Sequence, residues 1–186
     1  MVRIYTKTGD DGTTALYFGG RVRKDDAHPR AYGAVDEAQA ALGVVRAFTD
    51  STELADLMVN LERGLYIAMA ELATLPENRR KLKSGTTLVG PGMVRSLEAL
   101  IDRYSEMFDF PSEFVIPGGT RVAALLDVAR TTMRRAERES LPVIAEGSEV
   151  GRYLNRLSDL LWVLARWQEG ESLASRRPKE IPDEDE

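Results

Sequence analysis

The sequence contains no cysteine and only one histidine, His28. Without cysteine the chain can form no disulfide, has no thiolate nucleophile and cannot ligate zinc or an iron–sulfur cluster through sulfur. A single imidazole is also too little for a metal site built from several histidines. The chemistry of any active site must therefore come from carboxylates, arginines, lysines, hydroxyls and backbone groups.

Long apolar runs and a basic charge excess are also missing. No run approaches the roughly 18–20 apolar residues that a membrane-spanning helix requires. The first residues contain neither the hydrophobic segment of a signal peptide nor an Arg- and Ser-rich transit segment, so we expect a cytoplasmic protein. The net charge of -5 offers no basic field for nucleic acid. The length of 186 residues and the hydrophobic content of 43% favour one domain.

Lysine is absent between Lys83 and Lys179, where all twelve cations are arginine. The planar guanidinium group suits phosphates and carboxylates, because its fork can bind two oxygens at once. Base composition or chance explains the same bias, so the placement of the arginines must decide between the two. The chain ends in Asp-Glu-Asp-Glu, and residues 173–186 are predicted to be an acidic, disordered tail.

Apolar residues recur at helical spacing in five segments of the chain. The predicted helices cover residues 29–48, 52–75, 91–108, 120–140 and 148–170. Residues 1–28 are rich in Gly, Asp and Thr, which predicts an ordered loop with at most a short strand. Five amphipathic helices of this length favour a bundle, so we expect an all-α domain over residues 1–172, with its bundle at 29–170.

Two of the predicted helices carry a charged face beside the apolar stripe. At 100° per residue, the face of the fourth helix contains Asp127, Arg130, Arg134 and Glu137. The face of the fifth helix contains Arg152, Asn155, Arg156, Asp159 and Arg166. Together the faces could line a cleft for a polyphosphate, with the carboxylates orienting the arginines. For either face alone, a solvated surface with i,i+4 ion pairs is the better explanation, and only the two faces together favour a binding cleft.

The N-terminal segment offers a second set of anion-binding groups. Thr6, Lys7, Thr8 and Gly9 supply backbone N–H groups, hydroxyls and an ammonium, the components of an anion-binding nest. The segment is not a Walker A loop, and an ordinary turn would account for it as well. On the first helix, Asp36 borders the apolar stripe and should pair with a cation, for which the residues alone leave Arg130 and Arg134 as candidates.

No side chain is an obvious nucleophile, since the sequence lacks both cysteine and a Gly-x-Ser-x-Gly motif. An enzyme with this composition would position a polyphosphate for attack by a group that is not a side chain.

Six blocks of the sequence resemble, in family order, those of the PduO-type ATP:cob(I)alamin adenosyltransferases. The blocks are YTKTGDDGTT from Tyr5, RKD from Arg23, AYGAVDE from Ala31, FVIPGG from Phe114, ARTTMRRAER from Ala129 and YLNRLSD from Tyr153. They extend over about residues 3–168, and six ordered blocks make the resemblance highly specific. One departure is Asp127, which stands where similar proteins often have histidine.

The resemblance implies a five-helix bundle that assembles as a homotrimer, with active sites between neighbouring subunits. It implies transfer of the 5′-deoxyadenosyl group of ATP to the cobalt of cob(I)alamin, with release of triphosphate. Cob(I)alamin itself would be the nucleophile, which explains the missing side-chain nucleophile. A corrinoid reductase and an adenosylcobalamin-dependent acceptor enzyme are the further partners that the resemblance suggests.

By the same resemblance, the N-terminal loop wraps the ATP phosphates together with Mg2+. The loop residues are Thr6, Lys7, Thr8, Gly9, Thr14 and Lys24. The nucleotide site is completed by Arg134, Arg135, Glu137, Arg138 and Asn155. Arg134 is expected to stabilise charge on the leaving triphosphate, and Glu137 to contact the nucleotide or its metal.

The resemblance assigns a corrinoid side as well. Asp36 is expected to pair with Arg130 in support of corrinoid binding and assembly, and Asp159 to orient an arginine of the site. Phe114 is expected to press against the lower face of the corrin ring and keep axial ligands off cobalt. From the residues alone, Phe114 would instead be a core residue.

Two other functions remain open at this point. One is an ATP- or adenosylcobalamin-binding sensor or delivery protein on the same fold, with little turnover. The other is a helical scaffold with solvated arginine faces, which would bind no nucleotide.

Overall fold

The structure, a computed structural model, describes residues 5–176. A short hairpin of two antiparallel strands, β1 (Thr13–Ala15) and β2 (Arg21–Arg23), precedes five α-helices. The helices are α1 (Ala27–Phe48), α2 (Thr52–Leu72), α3 (Pro91–Ser105), α4 (Arg121–Ser140) and α5 (Val150–Glu169). Two 3-10 helices, Pro76–Lys81 and Leu141–Val143, lie in the connections. The predicted mostly helical fold and the single short strand region are thus confirmed for this part of the chain.

Local capping signals explain where the helices begin. The Asp26 carboxylate accepts the N–H of His28 over 3.0 Å, so α1 starts two residues before its predicted position. Thr120 caps α4 as expected, because its hydroxyl accepts the N–H of Ala123 over 3.2 Å. Helices α2 and α3 each end three residues earlier than predicted, at Leu72 and at Ser105. Boundaries of this kind depend on tertiary contacts that periodicity does not report.

The helices pack in the order α2, α1, α4, α5, α3, each against the next. Their apolar stripes form one continuous core, and α5 contributes the longest fully buried row. That row consists of Leu154, Leu157, Leu160, Leu161 and Leu164. Within residues 5–176 no helix combines the length and the apolar character needed to cross a membrane.

The bundle has two opposite ends, at which the helices begin or finish. At the first, the N–H of Tyr17 donates to Ala73 O over 2.8 Å, and His28 Nδ1 lies 2.7 Å from Leu72 O. These contacts hold the β-hairpin against the last turn of α2. The buried carboxylate of Glu71 accepts hydrogen bonds there from Ser148, just before α5, and from the N–H of Val89, just before α3. We call this the hairpin end, and α4 finishes there as well.

The opposite end, which we call the loop end, holds the connection between α3 and α4 over residues 106–120. Phe114 and Ile116 in this connection form backbone hydrogen bonds with Ser175 and Leu173, at 2.7 and 2.8 Å. The first part of the segment predicted as a tail therefore packs against the domain instead of leaving it after residue 172. The acidic run of that prediction, residues 177–186, lies outside the described residues.

Candidate active site

The N-terminal segment folds back on the hairpin and brings most of its predicted site residues together. The hydroxyls of Thr6 and Thr8 lie 2.8 Å apart, and Lys7 between them adopts a positive φ of 62°. A Cβ added to Gly9 would lie 2.9 Å from Thr13 O and 3.3 Å from Cε of Lys24, so glycine permits the close approach of this backbone oxygen beside the lysine. The remaining predicted loop residue, Thr14, lies on β1.

Arg21 fastens this loop, and no sequence pattern had singled this residue out. Its Nη2 donates to Thr8 O over 2.6 Å, and its Nε donates to Thr13 Oγ1 over 3.1 Å. Asp11 accepts hydrogen bonds from the hydroxyl and the N–H of Thr13, and these bonds lower the pKa of its carboxyl below the usual value. The loop is therefore held by its own residues in a shape that presents hydroxyls and Lys7.

A polar cluster lies between α4 and α5, on the faces that the sequence predicted. Asn155 Nδ2 is 3.4 Å from Glu137 Oε1, and Asn155 Oδ1 accepts a hydrogen bond from Arg156 over 2.8 Å. Arg156 also contacts Glu98 of α3 at 3.1 Å and Asp159 at 3.7 Å. Asp159 thus contacts an arginine next to Asn155, and Glu137 and Asn155 form one hydrogen-bonded unit.

Three arginines in the last turns of α4 are exposed. Arg135 forms an ion pair with Glu37 of α1. Within residues 5–176, Arg134 and Arg138 form no ion pair with any carboxylate, so their guanidinium groups remain available to an external anion. These arginines lie at the hairpin end, where the N-terminal loop lies too.

The predicted contact between Asp36 and Arg130 does not form within the described residues of one chain. Arg130 Nε donates to Asp127 Oδ1 over 2.9 Å, because Asp127 lies one turn earlier on the same helix. Asp36 is exposed on α1, and no ion pair to it forms among the described residues. Helices α1 and α4 are joined instead by the ion pair of Glu37 and Arg135.

Phe114 is the most exposed large apolar side chain in the described chain, with 88% of its surface accessible. The alternative that it is a core residue is therefore wrong. It lies beside a cavity of about 680 Å³ at the loop end, whose lining includes Trp162, Val115 and Arg176. An aromatic ring displayed at an open cavity is suited to contact a large planar ligand.

Sequence reasoning missed a buried charge network near this loop. Arg166 is 1% exposed, so it does not lie on the solvated face with Asp159. Its Nη2 donates to Asp127 Oδ2 over 2.6 Å, and its Nε lies 3.1 Å from Glu169 Oε2. The only sequence signal was the i,i+3 spacing of Asp127 with Arg130 and of Arg166 with Glu169, which does not reveal burial.

The described residues contain no group of three acidic or histidine side chains that could hold a metal ion. Glu137 is the one predicted metal contact, and its carboxylate is hydrogen-bonded to Asn155.

Known proteins match the chain over nearly the whole of this architecture. A family model described as cobalamin adenosyltransferase matches residues 4–168. The chain belongs to this family. The family predicted from the six sequence blocks is confirmed, and with it the enzyme class, an ATP:corrinoid adenosyltransferase.

Individual members of the cobalamin adenosyltransferase family are similar over most of their length. A corrinoid adenosyltransferase from Citrobacter freundii is 42% identical over 172 residues, which cover 91% of this chain and 96% of the relative. A corrinoid adenosyltransferase from Mycobacterium tuberculosis is 41% identical, covering 89% of this chain and 88% of the relative. A solved structure of a PduO-type ATP:corrinoid adenosyltransferase variant from Lactobacillus reuteri, complexed with cobalamin and ATP, superposes with a TM-score of 0.84. It is 30% identical and covers 94% of this chain and 100% of its own.

Proposed function

We infer that this chain transfers the 5′-deoxyadenosyl group of ATP to the cobalt of cob(I)alamin, forming adenosylcobalamin and releasing triphosphate. The inference rests above all on the family match over residues 4–168. The neighbouring structure from Lactobacillus reuteri, complexed with cobalamin and ATP, supports both substrates.

Co(I) is itself the nucleophile in this reaction. Its electron pair forms the Co–C bond to C5′, and the C5′–O bond breaks with its electrons passing to triphosphate. Cobalt is thereby oxidised formally from Co(I) to Co(III), so no side chain has to attack. The protein must position two substrates and stabilise charge on the leaving group. This requirement agrees with a chain that has arginines and carboxylates but no cysteine.

We propose that Arg134 stabilises the leaving triphosphate. Its guanidinium is exposed and forms no ion pair within residues 5–176, so binding a phosphate breaks no existing contact. Arginine binds phosphate oxygens in a bidentate manner, which suits charge that develops on several oxygens at once. The other proposed ATP contacts are Thr6, Lys7, Thr8, Gly9, Thr14, Lys24, Arg135, Glu137, Arg138 and Asn155.

Mg2+ would enter with ATP, and Glu137 is the carboxylate best placed to support it. When bound, the ion would neutralise part of the phosphate charge. The hydrogen bond between Glu137 and the Asn155 amide would orient this carboxylate toward the nucleotide.

We propose that the active sites lie between subunits of a homotrimer. The N-terminal loop and the arginines of α4 lie at the same end of the bundle, but no hydrogen bond or ion pair joins residues 5–24 to residues 134–138 in the described chain. A nucleotide that contacts both groups would fit between two copies. Asp36 is exposed on α1, and no cation of residues 5–176 pairs with it, which leaves it available to Arg130 of a neighbouring subunit.

On the corrinoid side, Phe114 would press against the lower face of the ring, with Arg130 and Asp36 supporting the bound substrate. Its high exposure beside the large cavity supports this role. A phenyl ring at that face would exclude water and the axial base from cobalt. Cobalt without a lower ligand is easier to reduce to Co(I).

An anaerobic absorbance assay tests the proposed function directly. Chemically reduced cob(I)alamin, Mg-ATP and the purified protein are mixed, and loss of the Co(I) band is followed. A light-sensitive product formed over many turnovers would support the transferase. One equivalent of product that stays bound would instead favour the sensor or delivery protein. A cytoplasmic location, a corrinoid reductase and an acceptor enzyme remain predictions, which cell fractionation and pull-down with the purified chain would test.

A further inference from the structure

Buried charges of alternating sign connect two parts of the proposed corrinoid site. Arg130 donates to Asp127 over 2.9 Å, and Asp127 accepts a second bond from Arg166 over 2.6 Å. Arg166 lies 3.1 Å from the carboxylate of Glu169, whose other oxygen accepts the N–H of Gly119 over 3.0 Å. We call these four charged residues, together with the N–H of Gly119, the charge ladder. It runs from Arg130 on α4, through α5, to the loop end.

Each end of the charge ladder belongs to a part of the proposed corrinoid site. Arg130 is the first member, and its side chain is the only partly exposed one of the four, at 25%. Gly119 is the last member, and it closes the Phe114–Gly119 segment immediately before α4 begins. A substitution at the centre of the charge ladder would therefore alter the position of both Arg130 and the loop that carries Phe114.

The burial of the central members is unusual for a contact that only joins two helices. The side chains of Arg166 and Glu169 are each 1% exposed, and that of Asp127 is 6% exposed. Nη1 and Nε of Arg166 have no hydrogen-bond partner within residues 5–176, so Nε contacts Glu169 as an ion pair only and burial of this guanidinium is not fully compensated. Apolar side chains would join α4 and α5 without this cost. A positioning role gives a reason for keeping the charges.

Gly119 provides independent support, because its lack of a side chain is what admits the carboxylate. A Cβ at this position would lie 2.8 Å from Cγ and 3.0 Å from Oε1 of Glu169. The hydroxyl of Ser172 also lies 3.2 Å from Glu169 Oε2, at the start of the segment that pairs with Phe114 and Ile116. We call residues 114–119 the Phe114 loop. Glu169 contacts the last residue of this loop, Gly119, and also the segment from Ser172 that pairs with the loop.

We propose that Arg166 and Glu169 are positioning residues for the corrinoid side of the reaction, acting through Arg130 and the Phe114 loop. Arg166 neutralises two buried carboxylates, of which Asp127 fixes the Arg130 side chain and Glu169 fixes Gly119. Neither residue contacts the nucleotide site at the hairpin end. The inference rests on the proposed function for its kinetic consequences, but its structural part concerns only this chain.

The central experiment compares Glu169→Ala with Glu169→Gln. Alanine removes the acceptor for Gly119, whereas glutamine keeps an oxygen that can accept the same N–H. Glu171→Ala serves as the matched control, because Glu171 is an exposed carboxylate two residues away. We expect Glu169→Ala to raise the KM for the corrinoid about tenfold or more while the KM for ATP changes less than about twofold. Glu169→Gln and Glu171→Ala should stay within about threefold of the parent for both.

Arg166→Met is the second variant, with Leu164→Ala as a control for lost stability, because Leu164 is fully buried on the same helix. A destabilised fold should affect both substrates alike, whereas the lost positioning contact should raise the corrinoid KM selectively. Equal changes for both substrates in Arg166→Met and Glu169→Ala would overturn the proposal.

Hydrogen exchange gives a readout that does not require turnover. The amides of residues 114–119 should exchange about tenfold faster in Glu169→Ala than in the parent, with Glu171→Ala unchanged. Unaltered exchange in this segment would refute the positioning role even if the parent proved inactive. A parent that forms no adenosylcobalamin, with faster exchange in Glu169→Ala, would refute the proposed function and leave the loop contact supported.

Discussion

Arg166 and Asp127 form a 2.6 Å hydrogen bond across the interface of α4 and α5, with both side chains shielded from solvent. The carboxylate of Asp127 bonds both this buried arginine and Arg130. The charged face predicted from the sequence of α4 is thus partly a buried network and partly an exposed surface.

Removing Asp127 should destabilise the fold strongly. Asp127→Ala leaves Arg166 buried without its shortest ion pair, and such a loss costs about 3–5 kcal/mol of unfolding free energy. Arg152→Ala is the matched control, because Arg152 is 75% exposed and lies 3.5 Å from its partner Glu149. That exposed pair should contribute less than about 1 kcal/mol. Urea unfolding followed by circular dichroism measures both, and equal midpoints would contradict the prediction.

Arg134→Ala should abolish most of the activity without loss of folding. The side chain is exposed and forms no ion pair in the described part of the chain, so unfolding free energy should change by less than about 0.5 kcal/mol. Loss of one charge-stabilising donor should lower kcat about 100- to 1000-fold. Arg95→Ala, an exposed arginine on α3, is the control and should retain parental kcat. Full activity in Arg134→Ala would remove this residue from the proposed mechanism.

Phe114→Ala should separate function from stability. Since the ring is 88% exposed, its removal should leave the unfolding free energy within about 0.5 kcal/mol of the parent. If the ring shields the lower face of the corrin, reduction of bound cobalamin should slow about tenfold or more. Stopped-flow absorbance under a fixed reductant measures this rate, and Tyr66→Ala provides a control at an exposed aromatic on α2. An unchanged rate in Phe114→Ala would exclude the shielding role.

The buried hydroxyl of Tyr153 should make the fold less stable at alkaline pH. Burial on α5 raises the pKa of its hydroxyl to about 12 from the model-compound value of 10.0. The unfolded chain releases this proton near pH 10 while the folded chain retains it, so stability is present below pH 10 and falls toward pH 12. The loss from this residue should be about 2–3 kcal/mol. Urea titrations at about pH 9, 10 and 11 measure the unfolding free energy. It should decline less steeply with pH in Tyr153→Phe than in the parent, and parallel curves would contradict the assignment.

The sequence alone was sufficient for the number and approximate position of the helices and for the family. Amphipathic spacing and capping residues such as Thr120 are local properties, which act within one or two turns and can be read along the chain. The ordered blocks identified the family because they combine residue type with spacing over most of the chain. Phe114 shows the added value of the blocks, since hydrophobicity by itself suggested a core residue.

The tertiary structure decided which charges lie in solvent and which lie in the core. Arg166 and Asp159 fall on the same helical stripe, yet Arg166 is buried against Asp127 of α4, whereas the Asp159 side chain is 49% exposed. The contact between Asp127 and Arg166 likewise joins two helices, so it forms only once α4 and α5 pack together. Burial and pairing are properties of the assembled helices, and a one-dimensional pattern specifies the face of a helix but not what covers it.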